Sequence, residues 1–329
     1  MRVTRREYFG IQRKIVANVT SDSWQNVPHV CYMYEPDVTE LYKEYTKLNK
    51  GREGEDKITF NTLMLKIVTE GLKAAPIMNS HIDFNRKFVT GKIDTFEEIN
   101  ISMPTILPNG EMMTINLRDF GNRKLDDMTA YINDVRRRAE KTNLTEAMYN
   151  VAFNKTIETL KQGKIFQVLT RIGGANFGKC KVDHLRGKAK KEYDAIPETE
   201  RLTMKDLEQG TVTVSNVGSI YRGQHGAVSL LEIVPPQVCA FAIGAIQDRP
   251  VVIKNDDGSK DIGIRSILPL CITFDHRAID FGDIVPFMKK VDEILDNPSI
   301  IHTWVSNDKN DKNDNTKDKK NDDFLTVVA

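Results

Sequence analysis

Short apolar runs alternate along this chain with longer stretches in which apolar side chains recur at helical spacing. Six runs predict β-strands, at residues 30–37, 99–103, 112–117, 211–215, 238–243 and 268–274. Residues 60–75 have the apolar spacing of a core helix, and residues 125–139 have that of an amphipathic helix with a basic end. This mixture of elements predicts an α/β fold in which a mixed β-sheet packs against helices in two layers.

Composition and charge narrow the class of protein. The 329 residues include 47 Lys and Arg against 46 Asp and Glu, which argues against a nucleic-acid partner because such proteins carry a large basic excess. No apolar run has the length of a membrane span, and the first residues lack the apolar core of a signal peptide. We therefore expect a cytoplasmic protein with no membrane partner.

The cysteines give no sign of a metal or redox site. Cys31, Cys180, Cys239 and Cys271 are scattered without Cys-x-x-Cys spacing, and two of them fall in apolar strand patterns. Free thiols in a reducing compartment are the simplest interpretation.

One hexapeptide, Asp-His-Arg-Ala-Ile-Asp at 275–280, places an imidazole between ionised groups at the end of an apolar run. At neutral pH a histidine such as His276 takes up and returns a proton without large tuning of its pKa. Asp280 follows a strand that is expected to be buried, so it should have a partner. Two alternatives stay open: His276 is a strand-end residue satisfied by its neighbours, or a metal ligand, although no second His or Cys nearby completes a ligand set.

A second segment, Thr-Val-Ser-Asn-Val-Gly at 213–218, predicts a strand that delivers a hydroxyl to its end. If a carbonyl is attacked nearby, a fixed donor such as Ser215 stabilises the oxyanion. The alternative is an ordinary polar strand terminus.

Together these segments resemble the catalytic domain of the dihydrolipoyl acyltransferases, the core component of 2-oxo acid dehydrogenase complexes, which is related to chloramphenicol acetyltransferase. The hexapeptide resembles the family signature Asp-His-Arg-x-x-Asp-Gly, and residues 213–218 resemble the strand that carries the oxyanion serine. Further similar stretches are 12–17, 28–29, 37–39, 58–66, 76–80 and 233–244. The resemblance covers about residues 5–143 and 200–300, and it implies a chloramphenicol acetyltransferase-like, CoA-dependent acyltransferase fold.

Carried over residue by residue, the resemblance implies that His276 is the general base and Ser215 the oxyanion donor, with Asn216, Asp275 and Arg277 in support. A thiol with a pKa near 8.5 is mostly protonated at neutral pH, and only its thiolate attacks a thioester well. His276 would remove that proton and later return one to the departing thiol.

The family pairs the second aspartate with an arginine near the amino terminus, which makes Asp280 a structural anion. Arg13 is the candidate partner, with Arg6 second. The alternative for Arg13 is a solvated helix residue.

The chain departs from the signature at one position, because Phe281 and then Gly282 follow Asp280 where the family has glycine directly. Phenylalanine does not easily adopt the positive φ that glycine allows. A motif displaced by one residue, or a helix that begins later than Asp283, would accommodate Phe281. Reduced or altered activity is an alternative.

The family also implies the substrates and the assembly. Coenzyme A is the expected substrate, with no metal. No lipoyl or subunit-binding module is evident, so the lipoyl group would come from a separate protein. The resemblance implies that the base and the oxyanion donor come from adjacent subunits of a homotrimer, either alone or built into a larger cage. A non-catalytic scaffold, or an acyltransferase for a small hydroxyl or amine acceptor, remain alternatives.

For domain organisation we predict a catalytic domain at 1–305 with an inserted segment at about 144–200, and a tail at 306–329.

Within the inserted segment, residues 173–180 resemble a phosphate-binding loop, but Cys180 stands where a hydroxyl residue would hold magnesium. The basic stretch 179–191 is either a solvated face or a site for CoA phosphates. The Asn, Asp and Lys composition of the tail predicts a disordered tether.

Overall fold

The computed structural model describes residues 1–106, 112–161, 163, 165–182, 184–255 and 257–306. The described residues form two compact units, one within residues 1–26 and 134–209 and the other within residues 27–133 and 210–306. The predicted tail at 306–329 lies outside the described residues except for Ser306. No described helix combines the length and hydrophobicity needed to cross a bilayer.

The helices and strands follow one another in a mixed order. The helices are α1 Ile11–Asn26, α2 Thr39–Leu48, α3 Phe60–Ala74, α4 Leu125–Glu140, α5 Leu144–Lys161, α6 Ile165–Asn176, α7 Gly187–Asp194, α8 Met204–Leu207 and α9 Phe281–Asp296. The strands are β1 His29–Tyr34, β2 Ser80–Asn85, β3 Thr90–Thr95, β4 Ile101–Ile106, β5 Met112–Leu117, β6 Val212–Asn216, β7 Cys239–Ile243, β8 Gln247–Lys254, β9 Lys260–Ile267 and β10 Leu270–Asp275.

The larger unit contains a six-stranded sheet in the order β1-β10-β7-β6-β4-β5. Strands β4, β6 and β7 run parallel, and the other neighbours are antiparallel, so the sheet is mixed as predicted. Strands β6, β7 and β10 are buried throughout, as expected for continuous apolar runs inside a sheet. The predicted strands are confirmed to within a few residues at each end.

Helices α3 and α9 form the layer that the two-layer prediction requires. The rings of Phe241 on β7 and Phe287 on α9 stack with centroids 5.0 Å apart, which joins the helix to the sheet. Gly71 on α3 lies against the same ring, because a Cβ atom at this position would come within 2.5 Å of Phe287. The absence of a side chain at Gly71 therefore sets how closely the two helices approach.

Two hairpins, β2–β3 and β8–β9, were not predicted. Every residue of β3 is exposed, and in β8 the exposed positions include apolar side chains, so neither shows the usual apolar-in, polar-out alternation. Backbone pairing alone defines these strands.

The smaller unit is helical and is held by buried charge pairs. Arg138 donates to both carboxylate oxygens of Asp206, at 2.8 and 3.0 Å. The side chain of Glu146 is buried and accepts from the backbone N–H of Leu185 at 2.9 Å and from Lys190 at 2.8 Å. The resemblance of residues 173–180 to a phosphate-binding loop does not extend to the structure, because the two leading glycines lie inside α6 rather than in a loop that opens a helix.

Candidate active site

Asp275 is the buried carboxylate of the hexapeptide. Its side chain is 0% exposed, and the Arg277 guanidinium donates to both of its oxygens at 2.6–3.1 Å. The Arg277 backbone N–H adds a bond of 3.0 Å. We had expected Asp280 to be the buried anion. The structure corrects this, because the strand ends at Asp275 and the turn that follows carries Asp280 into solvent.

The imidazole of His276 lies at the exit of β10, half-exposed, with Nδ1 3.0 Å from Oδ1 of Asp280. A carboxylate only accepts hydrogen bonds, so in the neutral ring Nδ1 carries the proton and Nε2 remains an acceptor. The His276 backbone N–H donates to the carbonyl of Pro28 at 3.1 Å and fixes the start of the turn. The ring is therefore oriented, and its basic nitrogen is the one away from Asp280.

Asp280 is 79% exposed and precedes the first residue of α9. Its backbone N–H donates to Asp283 at 2.7 Å, so the carboxylate of Asp283 closes the first turn of the helix. The predicted pair between Asp280 and Arg13 stays a prediction, since Arg13 lies on α1 in the other compact unit.

Phe281 fits the turn without a glycine. Helix α9 begins at Phe281, two positions before the expected Asp283. The φ angle of Phe281 is not positive. Its ring meets Tyr32 edge to face, with centroids 5.2 Å apart. Phe281 therefore causes no backbone strain, because its helical conformation is one that phenylalanine adopts easily.

Ser215 lies on β6, at the predicted position, with its side chain almost wholly buried. Thr213, two residues earlier and on the same face, donates to Gln237 at 2.6 Å. The Gln237 amide donates in turn to the Gly210 carbonyl at 2.7 Å. Gln237 was missed from sequence, although its place directly after two prolines hinted at a fixed loop position.

The strand end beyond Ser215 is fixed by tight contacts. Asn216 donates to Asn61 at 2.9 Å and accepts from the Ser219 backbone at 3.0 Å. At Gly218 a Cβ atom would meet the Gly244 carbonyl oxygen at 2.2 Å, so only glycine allows this approach. The hydroxyl of Ser215 thus lies on a rigid strand.

Ser215 and His276 lie at opposite ends of the sheet within one chain. Ser215 pairs with Ala242, and Ala242 pairs with Cys271 on β10. His276 follows Cys271 by five residues, which is about 16 Å along the strand and about 10 Å across two strand spacings. A single copy therefore does not bring the two groups together.

Two buried cysteines are unsuited to act as nucleophiles, and the described residues form no metal site. Burial raises the pKa of Cys239 well above its ordinary value and also raises the pKa of Cys271, so both thiols stay protonated. All four cysteines are free; Cys239 and Cys271 are buried, whereas Cys31 and Cys180 are partly exposed. Within the described part of the chain, no three His, Cys, Asp or Glu side chains are grouped so that they could share a metal ion.

His29, at the start of β1, is a further histidine beside the hexapeptide, and no role for it was predicted from the sequence. It pairs across the sheet with Asp275, and its Nε2 accepts the Ile233 backbone N–H at 3.2 Å. Burial lowers the pKa of His29 below its ordinary value, and the negative charge of Asp275 opposes this only in part. His29 is therefore a neutral, structural acceptor.

This pKa shift predicts how stability depends on pH. The unfolded chain protonates His29 below about pH 6.5, whereas the folded chain resists protonation, so the free energy of unfolding falls as pH drops below that value. We expect His29→Gln to be less stable than the wild type near pH 7.5 and to lose less stability between about pH 7.5 and 5.5. Urea denaturation at the two pH values measures this, with His225→Gln, an exposed histidine, as control. Equal losses in the wild type and His29→Gln would contradict the prediction.

The family model described as "2-oxoacid dehydrogenases acyltransferase (catalytic domain)" matches residues 2–153 and 188–303. The chain belongs to this acyltransferase family. The family assignment made from sequence is thereby confirmed. The match omits residues 154–187, which fall inside the segment that we predicted as an insertion.

Relatives of the acyltransferase family extend the comparison. The acetyltransferase component of the pyruvate dehydrogenase complex of Mycobacterium bovis is 24% identical over 287 residues, which are 86% of this chain and 40% of the relative. The chain thus spans less than half the length of this relative, and between 40% and 45% of two others that it matches.

Solved structures of the family show the same fold. The Azotobacter vinelandii dihydrolipoamide acetyltransferase, investigated for a serine, a histidine and an asparagine in its catalytic mechanism, aligns with a TM-score of 0.61 at 18% identity, covering 92% of this chain and 94% of that one. The cubic core of a pyruvate dehydrogenase multienzyme complex aligns with a TM-score of 0.58 at 18% identity and the same two coverages. The predicted fold class is confirmed.

Proposed function

We propose that this chain is an acyltransferase that moves an acyl group between coenzyme A and a thiol such as dihydrolipoamide, at sites formed between two copies of the chain. One observation carries the proposal. An oriented imidazole and a buried serine, on a fold shared with acyltransferase cores, lie at opposite ends of one sheet, so a second copy is needed to unite them.

The chemistry needs these two groups and no covalent enzyme intermediate. His276 Nε2 takes the proton of the attacking thiol as its sulfur bonds to the thioester carbonyl carbon. The carbonyl oxygen becomes an oxyanion, and the Ser215 hydroxyl donates a hydrogen bond to it. The intermediate collapses, the carbon–sulfur bond to the other thiol breaks, and that sulfur takes the proton back from His276.

Asp280 holds the imidazole in the tautomer that this step requires. The Azotobacter vinelandii enzyme was investigated at an asparagine four residues after its histidine, and Asp280 has the same spacing from His276. Both side chains offer an oxygen that accepts from Nδ1–H. A neutral Nδ1–H donor with Nε2 free is the state of a competent base.

Self-assembly is the second requirement of the proposal. The hairpin β8–β9 exposes Val252, Ile262 and Ile264, which is unusual for a face that meets only water. The related cubic core is itself an assembly. We propose that this chain forms a homotrimer or a larger cage, and that a separate protein supplies the lipoyl group. The cytoplasmic location stays a prediction.

The test uses two inactive variants in one assembly. Ser215→Ala keeps the base, and His276→Ala keeps the hydroxyl. Each alone should lose activity, with a loss of about 100- to 1,000-fold expected for the serine. When the variants carry different affinity tags, are coexpressed and are purified over both tags, a cyclic trimer has one productive interface of three. We therefore expect about a third of the wild-type rate per trimer.

The measurement is the transfer of acetyl from acetyl-CoA to dihydrolipoamide, followed by a panel of alcohols and amines. If the mixed assembly has no more activity than the two single variants, the two-copy site is wrong. If only alcohols or amines accept the acyl group, the thiol acceptor is wrong. If the wild type assembles but transfers to nothing, the scaffold alternative replaces the proposal.

A further inference from the structure

Helix α5 carries an apolar stripe that faces solvent. Phe153, Ile157 and Leu160 are all exposed. Their spacing of four and three residues places them on one face of the helix. Exposed apolar residues scattered singly need no explanation, but a row along one helix face marks a surface that meets something other than water.

Helix α6, packed beside α5 in the same compact unit, repeats the pattern. Ile165, Leu169 and Ile172 recur at helical spacing and are exposed, whereas Val168, which lies beside Ile172 on the helix, is buried. Phe166 is 81% exposed and Leu169 is 62% exposed. Phe177, just beyond the helix, is also open to solvent. Helix α6 thus buries Val168 and leaves its other large apolar side chains exposed to solvent.

Positive charge is concentrated in these two helices and in the residues that follow them. Residues 153–191 contain ten Lys and Arg against two Asp and Glu, a net charge of +8 in a chain whose total is +1. Several of these basic side chains are exposed in the structure, among them Lys161, Lys179, Lys181 and Lys191. The rest of the chain therefore has a net negative charge, and the excess of positive charge lies in residues 153–191.

We propose that the α5–α6 segment binds the surface of an anionic lipid bilayer. Apolar stripes flanked by Lys and Arg are the combination by which interfacial helices bind acidic membranes: the apolar side chains enter the headgroup boundary, and the basic ones meet the phosphates. At 12 residues α6 is about 18 Å long, so it lies in the membrane surface rather than crossing a core of about 30 Å.

A second copy of the chain fits the same surface less well. Two copies that met through this face would bring together two segments of +8 charge. We expected no membrane partner from sequence because no apolar run could span a bilayer. The exposed stripes became visible only once the structure showed which sides of α5 and α6 are covered.

Vesicle cosedimentation with the full chain tests the proposal. We expect binding to phosphatidylcholine vesicles that contain about 30% phosphatidylglycerol and at least tenfold weaker binding to phosphatidylcholine alone. Raising the salt from about 0.1 M to 0.5 M should weaken the binding to anionic vesicles by a similar factor, because the attraction is screened. Equal binding to both vesicles, or to neither, overturns the proposal.

Matched variants distinguish vesicle binding by the α5–α6 surface from nonspecific binding by exposed apolar or basic residues elsewhere. Phe166→Ser should weaken binding about 10- to 100-fold. The control, Phe88→Ser, replaces a phenylalanine that is 68% exposed on another hairpin and should leave binding unchanged. The double variant Lys179→Glu, Lys181→Glu should weaken binding about 100-fold or more, and Lys50→Glu, Lys57→Glu, with two exposed lysines elsewhere, much less.

Two further outcomes overturn the proposal. In the first, the control variants weaken vesicle binding as much as the α6 variants do. In the second, Phe166→Ser reduces the size of the assembly in sedimentation and leaves vesicle binding unaltered, which would assign the face to a second copy. Circular dichroism confirms that each variant is folded, and Phe166→Ser should exchange thioesters in solution at the wild-type rate.

Discussion

His276→Ala lowers the rate of thioester exchange by about two to four orders of magnitude, the usual contribution of a general base. The acceptor thiol has an ordinary pKa near 8.5, so without a base only a minor fraction is thiolate at neutral pH. The methyl group of alanine takes no proton from sulfur and returns none to the leaving thiol. The loss should appear in kcat, because the variant still binds coenzyme A and dihydrolipoamide.

A matched control exists in the same chain. His302 also lies beside a carboxylate, with Nε2 2.9 Å from Glu44, and it is also partly exposed. His302→Ala should exchange thioesters at the wild-type rate. Sedimentation should give the same assembly for both variants. A His276→Ala protein with wild-type activity, or a His302→Ala protein with an equal loss, would remove His276 from the mechanism.

Arg277→Met destabilises the fold by about 3–5 kcal/mol, the cost expected when one member of a buried ion pair is removed. Asp275 is fully buried at the end of a central strand, and the Arg277 guanidinium meets both of its carboxylate oxygens. Methionine fills part of the volume but brings no charge and no donor. The carboxylate is then left with its bond to a backbone N–H.

The comparison is Arg265→Met, which removes an exposed pair with Asp37 at 3.5 Å and should cost less than about 1 kcal/mol. Urea denaturation at one fixed protein concentration measures both, since assembly makes stability depend on concentration. The double variant Asp275→Asn, Arg277→Met should be more stable than Arg277→Met alone, because it no longer buries a charge. A loss below about 1 kcal/mol in Arg277→Met would contradict the burial of this pair.

The buried strands could be predicted from the sequence because each appears there as a run of apolar residues. Strands β7 and β10 are buried along their whole length, and each was located within two residues. The two hairpins were not, since their strands are defined by backbone pairing while most of their residues are exposed. The pattern of apolar and polar residues predicts which strands are buried, and it does not identify strands that are exposed.

The strand positions of the candidate site residues could be predicted from the sequence, but the burial of their carboxylates could not. His276 and Ser215 were identified from local motifs, and both lie where their strands should end. The buried carboxylate was assigned to Asp280 rather than Asp275, because the sequence does not show at which residue the chain leaves the sheet. The distance between the two ends of the sheet depends on strand order and register, which no local pattern encodes.

The contact between Gly71 and Phe287 constrains how this sequence can evolve. A Cβ atom at position 71 would come within 2.5 Å of the ring, so no descendant gains a side chain there while the ring remains. Position 287 has to shrink first, which opens a cavity and lowers stability until a residue at 71 fills it. The two changes are thus accessible in one order only, through a less stable ancestor.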